Sequence, residues 1–259
     1  MLKDEIWKTA ITKVEPNKLL LRGYRIDELM GKITFAQAVF LAIKGELPGE
    51  KEAKMIDAML VSSVDHGVTP PSCQAARTVA STGSPLNAAL AAGVLAISRH
   101  HGGAIEDSQK VFQEAVKRKR EMNKTEAEMA TILLKEFKEK NKRLPGFGHR
   151  IHTKDPRTPK LFQIAADLGI AGEFVKMATA IEDAIEQSSG KRLPINVDGA
   201  IAALLCEMNF PPPLANAFFI LARVPGLVAH IYEEQTRMKP MRHINSKNHE
   251  YDGVPERKV

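Results

Sequence analysis

The sequence predicts an all-α protein, and three observations carry that prediction. Aromatic residues make up only 5% of the 259 residues while Ala and Leu abound, a balance that favours helix because Ala and straight-chain residues lose least on entering one. Apolar residues recur at helical spacing over most of the chain. Alternating apolar and polar runs, the mark of half-buried strands, are scarce.

The exception is the opening, "ITKVEPNKLLLRGYRIDELMGK", whose short apolar clusters between turn residues suit a small strand or two. From Thr34 the period is helical. In "TFAQAVFLAIKGELPG", Phe35, Ala38, Val39, Ala42 and Ile43 share one face, with Thr34 placed to cap the start and Gly45 to stop it. "EKEAKMIDAMLVSSVDHG" continues the pattern to Gly67, where "VTPPS" breaks it. A proline-led helix over 71–79 and a small-residue helix, "LNAALAAGVLAISRH", follow, and the latter's Ala and Gly content predicts close helix–helix approach. "EDSQKVFQEAVKRKREMNKTEAEMATILLKEFKEKNK" reads as two amphipathic helices. Further helices are expected near 158–167, 172–188, 199–208, 214–222 and 226–235, with "RVPGL" separating the last two. No internal repeat or low-complexity linker appears, so any second domain must pack intimately on the first.

Hydrophobic residues at 44% and charged residues at 26% are ordinary for a soluble globular protein. The net charge of +6, from 37 Lys and Arg against 31 Asp and Glu, suits an anionic small molecule as readily as nucleic acid. Two cysteines, Cys73 and Cys206, make neither a disulfide framework nor a metal spacing. The start, "MLKDEIWKTA", has no apolar signal region, and apolar runs are broken by charge or proline short of a membrane span. A cytoplasmic protein without membrane contact is expected. The basic runs at 117–120 and 138–143 alternate with Glu and lack interleaved aromatics, so they read as solvated helix faces rather than a nucleic-acid surface.

Candidate chemistry gathers at the helix breaks, where loops carry function on a rigid scaffold. His66 stands at a helix end before Gly67; alone it reads first as a complement to the helix dipole. His100 and His101 precede two glycines, and one of the pair should face the core. No H-E-x-x-H spacing or cysteine cluster points to a metal. In "RLPGFGHRIHTKDPRTPK", Gly146 and Gly148 free the backbone around His149, leaving its amides able to face an anion, and Arg157 is set by Asp-Pro-Arg to grip a carboxylate bidentately. Lys142, Arg143 and Lys160 read as plain basic surface. Asp198 in "LPINVDGAIAALL" sits in N-cap position, where a carboxylate stays ionised. Arg223 interrupts the apolar run "FILARVPGLVAH", and a charge buried there needs an acidic partner or ligand.

Taken together and in order, "DHG", "HHGGAIE", "PGFGHR" with a downstream "DPR", "NVDG" and "LAR…GLVAHIYEEQ" resemble the citrate synthase superfamily, from about Thr34 to Gly253. The short length and "MRH" after the last helix are closest to short-form citryl-CoA lyase and to the C-terminal lyase module of ATP-citrate lyase. The resemblance implies a citrate-synthase-like fold with a large helical subdomain, about 1–149 and 223–259, and a small inserted one, about 150–222. It implies a citryl-CoA lyase releasing acetyl-CoA and oxaloacetate, reactants of the tricarboxylic acid cycle. The alternatives are a citrate or 2-methylcitrate synthase condensing an acyl-CoA with oxaloacetate and, more distantly, a non-catalytic helical binding module. By the resemblance, His101, His149 and Asp198 are catalytic, and His66, Arg157, Arg223 and Arg242 bind the dicarboxylate, Arg242 from across a homodimer. Pro145, Gly146, Phe147, Gly148 and Lys154 hold coenzyme A, which enters as part of the substrate; no metal or permanently bound cofactor is implied.

Overall fold

The computed structural model describes residues 7–148, 155–190, 193–243, 248 and 250–258. Among these are eleven α-helices and one small antiparallel sheet. The sheet is a meander of β1 (Thr12–Glu15), β2 (Lys18–Leu21) and β3 (Tyr24–Arg25), the strands anticipated at the opening. The helices are α1 (Ile26–Leu29), α2 (Phe35–Lys44), α3 (Glu50–Ser62), α4 (Pro71–Ser81), α5 (Leu86–Leu95), α6 (Ala104–Glu121) and α7 (Glu126–Glu139). They continue with α8 (Arg157–Asp167), α9 (Glu173–Ser189), α10 (Val197–Glu207) and α11 (Ala215–Arg237). The start of α2 is a capping box between Thr34 and Gln37, and Gly45 ends it at φ 90°.

Two compact units make up the chain: Met1–Val64 with Gly102–Ala222, and Asp65–His101 with Arg223–Val259. Within the first unit α6 and α7 pack with α9.

In the first unit α10 is buried along nearly its whole length and is packed by α6, α8 and α9. Its small residues, Ala200, Ala202 and Ala203, let those helices approach. Phe210 links the end of α10 to α2 and α11, meeting Phe40 and Phe218 edge-on at 5.5 and 5.0 Å. The basic run of α6 is taken up by ion pairs: Arg118 with Glu136 at 2.5 Å, Lys119 with Glu126 at 2.9 Å, and Arg120 with Glu173.

In the second unit α4 and α5 pair closely, and the second half of α11 closes a core of Cys73, Ala76, Ala80, Ala89, Leu227 and Ile231. A methyl group on Gly93 would lie 3.0 Å from both Ala76 Cβ and Leu227 Cδ1. The close approach expected of this small-residue helix is therefore real.

Two expectations fail at α11. The break expected at "RVPGL" is absent, because the helix runs through Pro225. An interior proline costs roughly 3 kcal/mol; here Pro225 is on the exposed side while Leu227 and Ile231 anchor the turns that follow. As a result Pro212–Arg237 is long and apolar enough, by length and composition, to cross a membrane, contrary to the reading that every apolar run stops short. A core helix meets the same test, and Arg223 and Glu234 are buried within this one.

Candidate functional site

In the first unit, the segment after α7 is bound to the approach to α10 as a short antiparallel ladder. Asn196 N–H donates to Gly146 O at 3.0 Å, Gly148 N–H donates to Pro194 O at 2.8 Å, and Phe147 pairs with Ile195. Gly146 has φ 81°, and a Cβ there would sit 2.6 Å from Ser108 Oγ and 2.8 Å from Gly199 Cα, so only glycine fits. Phe147 meets Phe112 edge-on at 6.3 Å.

Asp198 is not the N-cap. That position belongs to Asn196, whose Oδ1 accepts from Gly199 N–H at 3.1 Å while its Nδ2 donates to Gly148 O at 2.9 Å. Asn and Asp are comparable caps, and the chain uses the earlier of the two. Asp198 lies in the first turn of α10, half-buried, where the helix dipole favours its anion.

Arg157 is paired bidentately with a carboxylate of its own segment rather than with a ligand: Nε and Nη2 reach Asp155 Oδ1 and Oδ2 at 2.9 and 2.8 Å. Its Nη1 donates to Ser62 O at 3.2 Å. Asp155 is 1% exposed, a buried anion that orients the arginine and that the sequence did not single out. Next along α8, Thr158 Oγ1 donates to Ile195 O at 2.9 Å. Arg157, the 145–148 segment and Asp198 are thus fastened to one strip of chain, 194–199. His149 and Lys154 lie outside the described residues.

Beside Phe147 a cavity of about 590 Å³ opens between the ends of α7 and α9. Phe137, Leu144 and Phe147 give it apolar walls, and Lys138, Lys142 and Arg143 line it as well. Lys142 and Arg143, read from the sequence as plain surface, therefore belong to a concave, cationic site.

In the second unit, Ser98 and His101 exchange two backbone hydrogen bonds of 2.9 and 2.8 Å, which leaves His100 exposed and His101 half-buried. His101 Nε2 is 2.8 Å from the hydroxyl of Ser72, a fully buried residue that no sequence motif marks out. His66 is half-buried in the loop between α3 and α4. Arg223 is 3% exposed, as the charge argument required. His66, His101, Asp198 and Arg223 each already interact with a neighbouring group.

Arg242 binds within its own unit: Nε and Nη2 reach Glu234 Oε1 and Oε2 at 2.8 and 2.5 Å, and Arg77 Nε reaches the same carboxylate at 2.6 Å. Burial acts to raise the Glu234 pKa, but the two arginines outweigh it and hold the carboxyl below its usual range. Among the described residues no three His, Cys, Asp or Glu side chains are grouped to hold a metal ion.

Residues 48–244 match the family description "Citrate synthase, C-terminal domain". The chain belongs to the citrate synthase family. The fold is the helical one of that family, as the motifs implied. A solved citryl-CoA lyase from Hydrogenobacter thermophilus superposes with a TM-score of 0.90 at 46% identity, over 98% of each chain. An ATP citrate lyase from Methanosaeta concilii, solved with (3S)-citryl-CoA, shares the fold with a TM-score of 0.85 at 22% identity; 99% of this chain and 43% of that one are covered. Among curated relatives, a citrate/2-methylcitrate synthase of Bacillus subtilis is 31% identical over 81% of this chain and 55% of its own. The chain spans about half the length of the curated synthases it matches.

Proposed function

We propose that this chain is a citryl-CoA lyase, cleaving citryl-CoA to acetyl-CoA and oxaloacetate without ATP. The observation that carries this reading is likeness over the whole length: the relative of that name matches 98% of both chains at 46% identity, whereas the curated synthases extend well beyond the matched region.

The chemistry is a retro-Claisen reaction. His149 takes the proton of the tertiary hydroxyl, the bond from that carbon to the methylene carbon breaks, and the electron pair passes into the thioester as an enolate. His101 donates a hydrogen bond to the thioester oxygen where the charge develops. Its contact with Ser72 serves that role: with the hydroxyl donating to Nε2, the proton of a neutral imidazole sits on Nδ1. Asp198 carries a proton only for this step: it delivers that proton to the methylene carbon, completes the methyl group, and returns to the anion that its helix turn favours. The proton taken by His149 passes through solvent to reprotonate Asp198 for the next turnover. The products are a ketone and acetyl-CoA, and every proton is accounted for.

His66, Arg157, Arg223 and Arg242 neutralise the carboxylates of the oxaloacetate moiety. Coenzyme A enters and leaves as part of the substrate, with no permanently bound cofactor. The cavity beside Phe147 suits its adenine and phosphates, offering apolar walls and cationic side chains together. Homodimerisation through α5 and residues 214–222, with Arg242 exchanging Glu234 for a carboxylate of the neighbouring copy's substrate, and a cytoplasmic location complete the proposal.

A synthase reading is favoured by the names of the curated relatives at 30 and 31% identity. One assay separates the two: purified protein is incubated with citryl-CoA and, separately, with acetyl-CoA or propionyl-CoA plus oxaloacetate, and products are identified by mass spectrometry. Acetyl-CoA and oxaloacetate from citryl-CoA, with no free CoA, support the lyase. Release of CoA thiol from the second mixture makes it a synthase.

A further inference from the structure

The loop that carries His66 is lashed down on both sides of that residue. Asp65 Oδ2 accepts the N–H of Gly67 at 2.9 Å, so one carboxylate spans His66 and closes a tight turn around it. Gly67 has φ 74°, which suits glycine and completes the turn. The other oxygen, Asp65 Oδ1, is 3.0 Å from Nε2 of His230. His230 stands on α11 between Leu227 and Ile231, both in the second unit's core, so it is a rigid post rather than a mobile surface group. Burial would raise the Asp65 pKa, yet the Gly67 amide and His230 together hold it below its usual value. Asp65 is therefore an acceptor only, and Nε2 of His230 carries the donated proton.

We infer that Asp65 and His230 form a positioning pair that fixes the orientation of His66 for binding the dicarboxylate end of the substrate. The inference rests on the role proposed above for His66. Neither Asp65 nor His230 need touch the substrate: Asp65 acts through the backbone of the turn, and His230 acts through Asp65. Because an aligned hydrogen-bond donor is worth its full strength only when held in place beforehand, loosening this turn should weaken the dicarboxylate as much as losing a contact to it does.

Calorimetric titration with oxaloacetate tests this on wild type, His66→Ala, Asp65→Ala, His230→Phe, His230→Gln and the double variant His66→Ala/His230→Phe. The pair borders a cavity of about 350 Å³, so a new side chain at 230 meets open space. Expected are a loss of about tenfold in affinity for His66→Ala and of similar size for Asp65→Ala and His230→Phe, the scale of one charge-assisted hydrogen bond. His230→Gln, whose amide can still donate to Asp65, should recover most of the loss. His230→Phe should add nothing in the His66→Ala background. Wild-type affinity in His230→Phe, or losses that simply add in the double variant, overturn the positioning role while leaving His66 in place. Wild-type affinity in His66→Ala overturns the underlying assignment instead. If Asp65→Ala does not fold, the two His230 variants and the double variant decide alone.

Discussion

Gly146 and Gly199 meet backbone to backbone: a methyl group on Gly199 would lie 2.5 Å from the carbonyl oxygen of Gly146, and one on Gly146 would lie 2.8 Å from Gly199 Cα. Neither neighbour is a side chain that can swing away. Gly146→Ala adds the strain of a left-handed backbone, and such strain costs on the order of 1–3 kcal/mol before any clash. At Gly148, φ is 82° but the nearest atom to an added Cβ is Leu193 Cδ2 at 3.7 Å, so strain acts alone. Thermal unfolding should rank Gly146→Ala well below Gly148→Ala. At about 2–4 °C per kcal/mol, the difference is several degrees.

Asp198→Ala should lower the rate of citryl-CoA cleavage by about a hundredfold or more, the usual scale for a positioned acid or base. Its circular dichroism and melting temperature should stay near wild type, since Asn196 and not Asp198 caps α10. Cleavage at the wild-type rate would remove Asp198 from the mechanism.

Ser72→Ala removes the hydroxyl that faces His101 Nε2. The imidazole keeps its backbone anchor through Ser98 but loses its hydrogen-bond partner at Nε2, the contact proposed above to leave Nδ1 as the donor. Steady-state kinetics should show kcat reduced about tenfold with KM for citryl-CoA little changed, the pattern of an interaction felt in the transition state.

Glu234→Gln probes a carboxylate shared by two arginines. Since the folded-state pKa is depressed, the stabilisation is present above the unfolded-state value, ordinarily 4.5, and is lost as pH falls through the folded value. The melting-temperature gap between wild type and Glu234→Gln should be widest near neutral pH and shrink in acid. At neutral pH the loss should approach the roughly 3–5 kcal/mol typical of breaking a buried pair from one side.

Both cysteines should resist alkylation. Burial pushes the Cys73 thiol up to about 11 and raises Cys206 as well. At pH 8 only about a thousandth of Cys73 is thiolate, and the thiolate is the nucleophile. Intact-mass measurement after iodoacetamide should show no adduct on the native protein and two on the denatured one.

Much of this was legible in the chain because it was locally written. The Thr34 cap and the Gly45 stop sit within the helix they bound, and a proline-led start for α4 needs only Pro71. Asn196 and Asp198 show where local chemistry runs short: both are good caps, two residues apart, and packing of Gly199 on Gly146 selects the register. Pro225 read as a break because the rule prices the proline and not the buried Leu227 and Ile231 beyond it. Lys142 and Arg143 looked like bare surface because the far wall of their cavity, Ile185, Ser188, Ser189 and Leu193, lies more than forty residues further along the chain. The buried Ser72 left no pattern, since its partner His101 is 29 residues away; Asp155 stood in plain view in Asp-Pro-Arg, but its burial and its two-pronged pairing with Arg157 come from the packing around it.

The two hydrogen bonds of the Asn196 side chain bear on any attempt to re-engineer this protein. Its amide reads a carbonyl in one segment and an N–H in another, so residues 143–148 and 194–199 are a single module that happens to be encoded in two places. Grafting the glycine segment of a homologue into this scaffold, or recombining genes at a crossover between those segments, would separate a lock from its key unless both pieces came from one parent.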